Sequence, residues 1–279
     1  MLKRIITGIV SILIFIPVCI ASHFEGWDIV FPIAISILSA IGVFEMSKCL
    51  GYHKNLVLTI PMYIAALGLP LLRYIQVQIG ASNRDFLGIA MLVMFAILIF
   101  DLAYVMFRKN KDMITDIVTF FGLNLYVIGC FSSIYMVRTG KDGDLMYLLV
   151  FIGPWVCDTF AYFTGKLLGK HKLIEEISPK KTVEGSIGGV IFTIIAFIVF
   201  GLIVNANGAD FNYIKLGILG LVASVVSQIG DLIASAIKRQ YNVKDYGFIF
   251  PGHGGVLDRF DSVLLTAPII FILNTLLVF

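Results

Sequence analysis

Charged residues are scarce in this chain of 279 residues. Lysine, arginine, aspartate and glutamate together make up 14% of the sequence, whereas an ordinary soluble domain carries about 25%. Hydrophobic residues account for 59%, and the mean hydropathy is +0.96. This balance excludes an ordinary soluble domain and predicts an all-α integral membrane protein that crosses the bilayer many times.

Cysteine is rare too, and several familiar catalytic motifs are absent. The four cysteines lie in or beside apolar segments and form no Cys-x-x-Cys pair, so they are interpreted as small hydrophobic residues rather than disulfides or zinc ligands. The chain contains no P-loop, no His-Glu-x-x-His zinc motif and no serine hydrolase elbow. Any enzymatic activity must therefore use another kind of site.

Apolar segments long enough to cross a bilayer, roughly 17 to 25 residues each, occur about nine times. They lie near 5–21, 27–47, 56–72, 86–107, 114–136, 146–165, 187–205, 213–234 and 257–278. The first lacks a convincing cleavage site and is interpreted as an uncleaved span. We expect five spans in an N-terminal region, residues 1–145, and four in a C-terminal catalytic region, residues 146–279.

The basic residues predict how these spans are oriented. With a cytoplasmic amino terminus, most of the 21 lysines and arginines fall inside, as the positive-inside rule requires. The outer side then keeps Arg73, Arg84, Arg138, Lys141 and Lys215. This orientation places two polar loops, 166–186 and 236–256, on the cytoplasmic face, where a soluble nucleotide could reach them.

Polar residues of several kinds are concentrated near the end of the chain. Asp231 lies within an apolar span, where an unpaired carboxylate costs about 2.5 to 3.5 kcal/mol. Ser235, Lys238 and Arg239 follow it at spacings that place all four along one side of a helix. A metal or phosphate site would explain this pattern, and so would a single intramembrane ion pair that joins two helices.

Two more aspartates, Asp258 and Asp261, begin the last span three residues apart, so their carboxylates face the same way on a helix. Such a pair suits Mg²⁺, which prefers a few carboxylates together with water and substrate phosphate. The alternative is an acidic first turn that complements the helix dipole, neutralised by Arg259. Gly254 and Gly255 precede the pair and allow either a close approach to phosphate or a tight loop.

A second polar block begins with Asp158, another carboxylate within an apolar span, and continues after a short gap with the run 178–185. The basic residues of that run could be a positive-inside anchor. The proline within it and the following Glu184 and Gly185 indicate an ordered turn instead. Single acids in other spans, Glu45 and Asp101, are interpreted as structural polar contacts.

Together these motifs resemble a known family. Segments 235–239 (Ser-Ala-Ile-Lys-Arg), 244–245 (Lys-Asp) and 253–261 (His-Gly-Gly-Val-Leu-Asp-Arg-Phe-Asp) resemble the carboxy-terminal signature of phosphatidate cytidylyltransferases, also called CDP-diacylglycerol synthases. Segments 158–162 and 178–185 are similar to another motif of the bacterial members. The resemblance implies the reaction of CTP with phosphatidate to give CDP-diacylglycerol and pyrophosphate in the cell (inner) membrane, on its cytoplasmic face.

The resemblance also implies roles for individual residues, with dependence on one or two Mg²⁺ ions and room for a different cation at a second position. Asp231, Asp258 and Asp261 would hold the metal and, with Lys238 and Arg239, form the catalytic group. Substrates would be bound by Ser235, Lys244, Asp245, His253, Gly254, Gly255, Arg259, Asp158, Ser178, Lys180, Lys181 and Thr182. Whether His253 binds phosphate, acts as a base or closes the loop stays open.

Other functions compete with this interpretation. A CTP-dependent lipid kinase is the nearest enzyme, and it would release CDP instead of pyrophosphate. An ion- or proton-coupled transporter could also line a path with intramembrane carboxylates, but it would not need the glycine-rich basic loop. The acidic run expected of a CDP-alcohol phosphotransferase is absent. The expected partners are CTP, phosphatidate and the lipid bilayer, with no nucleic acid, and a homodimer stays open.

Overall fold

A computed structural model describes residues 13, 16–21, 24, 26–108, 113–250, 252 and 254–277. Most of the predicted first span lies outside these residues, although 16–21 are helical. The predicted substrate-binding residue His253 also lies outside them.

The described part of the chain contains eight long helices, and each is apolar and long enough to span a membrane. They are α1 Val30–Cys49, α2 Leu56–Gln78, α3 Asn83–Arg108, α4 Met113–Arg138, α5 Gly143–Leu168, α6 Val183–Ala206, α7 Tyr213–Gln240 and α8 Leu257–Leu277. Each corresponds to one of the predicted spans. The prediction of an all-α polytopic membrane protein is therefore confirmed.

A small β-hairpin interrupts the helices between α5 and α6. Its strands, β1 Lys172–Ile174 and β2 Ser178–Thr182, pair antiparallel. β2 leads directly into α6, whose N-cap Thr182 accepts a hydrogen bond from the backbone N of Gly185 at 3.1 Å. Such a cap satisfies one of the amides that a helix start leaves unpaired. The polar loop 166–186 thus contains regular structure, and its second strand continues directly into α6.

The chain divides into two compact units. The first consists of Met1–Tyr135 and Val243–Arg259, and the second of Met136–Asn242 and Phe260–Phe279. The first unit contains α1 to α4 and the segment that leads into α8. The second contains α5, the hairpin, α6, α7 and most of α8. The predicted division between residues 145 and 146 stays a prediction.

Small residues allow the helices of the second unit to pack closely. Gly165 on α5 and Gly185 on α6 approach so closely that a Cβ on Gly185 would lie 3.1 Å from the Cα of Gly165. Further along the same pair of helices, Gly189 packs against Cys157. Small residues four apart are a common basis for helix packing in membranes. This close approach brings the end of α5 against the start of α6, where the hairpin also lies.

Candidate active site

A cavity of about 380 Å³ lies in the second unit, between the end of α5, the hairpin, the start of α6 and α7. Its lining includes Tyr162, Lys166 and Gln228. It also includes six of the predicted site residues, namely Asp158, Ser178, Lys180, Lys181, Thr182 and Asp231. Residues that are more than 70 positions apart in the sequence are thus gathered around one space of the size of a small-molecule site.

An ion pair lies at this cavity. The ammonium Nζ of Lys181 on β2 is 2.5 Å from Oδ2 of Asp231 on α7, and each side chain is about a quarter exposed, 26% and 24%. Ser235, one turn further along α7, donates a hydrogen bond to the other oxygen of Asp231 at 3.4 Å. Asp231 is therefore paired within the span, and its partner comes from the hairpin rather than from the basic residues that follow it on α7.

Ser262 connects two other carboxylates of the second unit. Its hydroxyl lies 3.0 Å from Oδ2 of Asp158 and 3.4 Å from Oδ1 of Asp261, and its backbone N donates to Asp261 at 2.8 Å. The Ser262 side chain is almost fully buried. Its one hydroxyl hydrogen is within reach of both carboxylates. Ser262 was not among the predicted site residues. Its position directly after Asp261 was the only signal in the sequence.

The charges of this region are close enough to act on one another. Asp261 interacts electrostatically with Asp231, Asp158 and Lys238, and Asp158 also interacts with Lys181. The cluster thus contains three carboxylates and two ammonium groups, which leaves an excess of negative charge. An excess of negative charge favours the binding of a further cation.

The residues fit a divalent metal ion in their chemistry. Carboxylate oxygens are the hard ligands that Mg²⁺ prefers, and an open cavity beside them leaves space for water and phosphate. Within the described residues, no three acidic, histidine or cysteine side chains are already grouped closely enough to hold a metal ion. The ammonium of Lys181 and the hydroxyl of Ser262 lie against the carboxylate oxygens that a metal would use.

In the first unit, Asp258 ties together the loop that precedes α8. It is 6% exposed, and its Oδ2 accepts hydrogen bonds from the backbone N of Tyr246 at 2.8 Å and of Gly255 at 2.9 Å. Gly254 has a φ of +85°, which an L side chain rarely adopts, and its carbonyl accepts a hydrogen bond from Phe250 at 2.9 Å. This is a tight loop, and the metal role of Asp258 stays a prediction.

The remaining predicted residues differ in exposure. Lys238 and Asp245 are partly exposed, and Arg239, Lys244 and Arg259 are exposed. Lys238 and Arg239 lie in the last turn of α7, where cations also complement the helix dipole. Their predicted roles with substrate stay predictions.

The fold and the site together define the class of protein. It is a membrane-embedded helical protein with acidic and basic side chains around one cavity. The chain matches the model of the Cytidylyltransferase family over residues 2–277, and it belongs to that family. This confirms the resemblance drawn from the two sequence motifs.

Three relatives illustrate how complete the similarity is. The chain is 35% identical over 277 residues to the phosphatidate cytidylyltransferase of Bacillus subtilis (strain 168), covering 99% of this chain and 98% of the relative. It is 34% identical over 270 residues to the protein of that name from Staphylococcus saprophyticus, covering 97% of both chains. It is 33% identical over 278 residues to that of Staphylococcus aureus (strain COL), again covering 97% of both.

Proposed function

We propose that this protein is a membrane nucleotidyltransferase that converts CTP and phosphatidate into CDP-diacylglycerol and pyrophosphate. The observation that carries the proposal is the cavity of the second unit, where Lys180 and Lys181 lie beside Asp158 and Asp231. Cations and carboxylates at one open site suit a reaction between two phosphate-bearing substrates. The names of the three relatives, all phosphatidate cytidylyltransferases, support the same reaction.

The reaction is a displacement at phosphorus. An oxygen of the phosphatidate phosphate forms a bond to the α-phosphorus of CTP, and the bond between that phosphorus and the α–β bridging oxygen breaks. The bonding electrons leave with pyrophosphate. Because a phosphate monoester is already anionic near neutral pH, little help from a general base is needed, and positioning and charge neutralisation dominate. A single displacement predicts inversion at the α-phosphorus.

The residues of the second unit divide this work between them. Lys180 and Lys181 bind substrate phosphate oxygens, and Lys238 supplies further positive charge at the end of α7. Asp231 and Asp261 would hold Mg²⁺, which when bound neutralises phosphate charge. Ser262 orients Asp261. Without the lysines and the metal, repulsion between the acidic cluster and the anionic substrates would oppose substrate binding.

Phosphatidate reaches the site from the cytoplasmic leaflet, with its acyl chains among the helices and its headgroup at the cavity. The excess of basic residues in the loops on one side supports this orientation. Labelling of cysteines introduced at exposed positions of the hairpin tests it. Reaction only with a reagent applied outside the cell would contradict the orientation.

The decisive experiment incubates purified protein with labelled CTP, phosphatidate and Mg²⁺ and identifies both products. CDP-diacylglycerol with pyrophosphate supports the proposal, whereas phosphorylated lipid with CDP indicates the alternative lipid kinase. Asp261→Asn should abolish turnover while the protein stays folded in detergent. Asp210→Asn, at an exposed position between α6 and α7, serves as the matched control. Near-normal cytidylyl transfer by Asp261→Asn would contradict the assigned role.

A further inference from the structure

Glu45 of α1 makes a contact that its sequence neighbours did not indicate. It is 1% exposed, and its carboxylate accepts hydrogen bonds from the backbone N of Val256 at 3.0 Å and of Leu257 at 2.9 Å. These two amides stand at the start of α8, where a helix cannot satisfy its own first N–H groups. Glu45 therefore caps α8 from a position 211 residues earlier in the chain.

The segment before α8 is shaped to admit this carboxylate. Gly247 and Gly255 both pass so close to Glu45 that a Cβ at either position would collide with its side chain. Only glycine permits so close an approach of the backbone. The carboxylate is thus enclosed by the segment whose amides it binds.

Two further residues on the same face of α1 contact this segment. Gly42, three residues before Glu45, lies where a Cβ would stand 3.2 Å from the side chain of Leu257. Lys48, three residues after Glu45, places its ammonium 5.6 Å from the ring centre of Phe248, within the range of a cation–π interaction. Residues spaced by three lie on one helix face. This face of α1 is a continuous support for the segment that leads into α8.

We propose that Glu45 is a positioning residue, which fixes the shape of the segment 243–259 and with it the placement of Lys244 and Asp258. The inference rests on the proposed function, because only the resemblance to the cytidylyltransferases assigns Lys244 to substrate and Asp258 to the metal. Asp258 binds the segment from within, through Tyr246 and Gly255. Glu45 binds it from a different helix, at Val256 and Leu257, so two carboxylates hold the part of the segment that enters α8.

Hydrogen exchange tests the anchoring without any substrate. In Glu45→Gln an amide nitrogen replaces one acceptor oxygen, so either Val256 or Leu257 loses its partner. We expect exchange of amides in 254–257 to accelerate about tenfold, as for one lost hydrogen bond to a charged group. The control is Asp101→Asn, the same change at a buried acid on α3 that has no hydrogen-bond partner among the described residues. Unchanged exchange in Glu45→Gln would overturn the anchoring.

Kinetics then separate positioning from simple structural support. A misplaced segment should raise the KM for Mg²⁺·CTP about tenfold, whereas a mere loss of folded protein would lower the maximal rate and leave KM unchanged. The second result would overturn the positioning role. If Glu45→Gln does not fold, Lys48→Met disturbs the same face more mildly and must still raise KM. If the wild-type protein forms no CDP-diacylglycerol, the proposed function is wrong, and the exchange result still decides whether Glu45 anchors the segment.

Discussion

The ion pair between Lys181 and Asp231 offers the sharpest test of the cavity. Removing either partner leaves a charge in a partly dry site without its counterion, while removing both leaves none. We therefore consider Lys181→Met, Asp231→Asn and the double variant, compared with wild type for the free energy of unfolding. If the pair exists, the double variant must be less destabilised than the sum of the two single variants.

The structure sets the expected size of this coupling. The charged atoms are 2.5 Å apart, but each side chain is about a quarter exposed. Exposed pairs are coupled by about 0.2 to 1 kcal/mol, and breaking a fully buried pair costs about 3 to 5 kcal/mol. A coupling energy of about 1 to 3 kcal/mol lies between these limits.

Unfolding in mixed detergent micelles can be followed by labelling of the buried thiols Cys130 and Cys157, which are free. Lys172→Met combined with Asp231→Asn is the matched control, since the Lys172 ammonium instead donates to the carbonyl of Pro179. The control pair should be additive within about 0.5 kcal/mol. Additivity of Lys181→Met with Asp231→Asn would refute the pairing.

The same lysine should matter for turnover. Loss of one preorganised cation or donor at a charged transition state lowers the rate by about 10² to 10³, so we expect this loss in kcat/KM for Lys181→Met. Lys172→Met should stay within about threefold of wild type, because its ammonium is used within the hairpin. The rate of pyrophosphate release measures the activity of both variants. Equal activities of the two variants would show that Lys181 is structural only.

Two further changes test the second unit. Ser262→Ala removes the hydroxyl shared by two carboxylates and should lower kcat about tenfold or more. Ser262→Thr keeps a hydroxyl and should recover kcat. An equal loss of kcat in both variants would indicate that packing, not the hydroxyl, is responsible. Gly188→Val should destabilise the protein by about 1 to 3 kcal/mol, because a Cβ there would overlap Thr164. The control is Gly122→Val, because no atom lies within 4 Å of a Cβ built at Gly122. Thermal unfolding compares the two variants, and equal melting temperatures would contradict the close packing of α5 and α6.

The helical fold could be predicted from the sequence because a bilayer requires apolar runs of fixed length. Eight predicted spans correspond to the helices of the described residues, with differences of a few residues at their ends. The hairpin could not be predicted in the same way. Its strands have only three and five residues, too few to show the alternating apolar pattern by which a strand is recognised in a sequence.

The site was only partly predictable for a related reason. The motifs identified which residues are unusual, including Asp231 and the run 178–185, but not which of them meet. Lys238 is the nearer cation in sequence to Asp231, yet Lys181 is the one that pairs with it. A lone acid in an apolar span has the same sequence signature whether it caps a helix, as Glu45 does, or lacks a partner among the described residues, as Asp101 does.

The sequence by itself therefore determined the class of fold, the family and the residue types of the site, because hydropathy and motif order are properties of the chain. Tertiary structure decided the partners: Lys181 for Asp231, Ser262 for Asp158 and Asp261, and Glu45 for the start of α8. The physical reason is that hydrogen bonds and ion pairs act over a few ångströms. Which groups come that close is settled only when the helices pack.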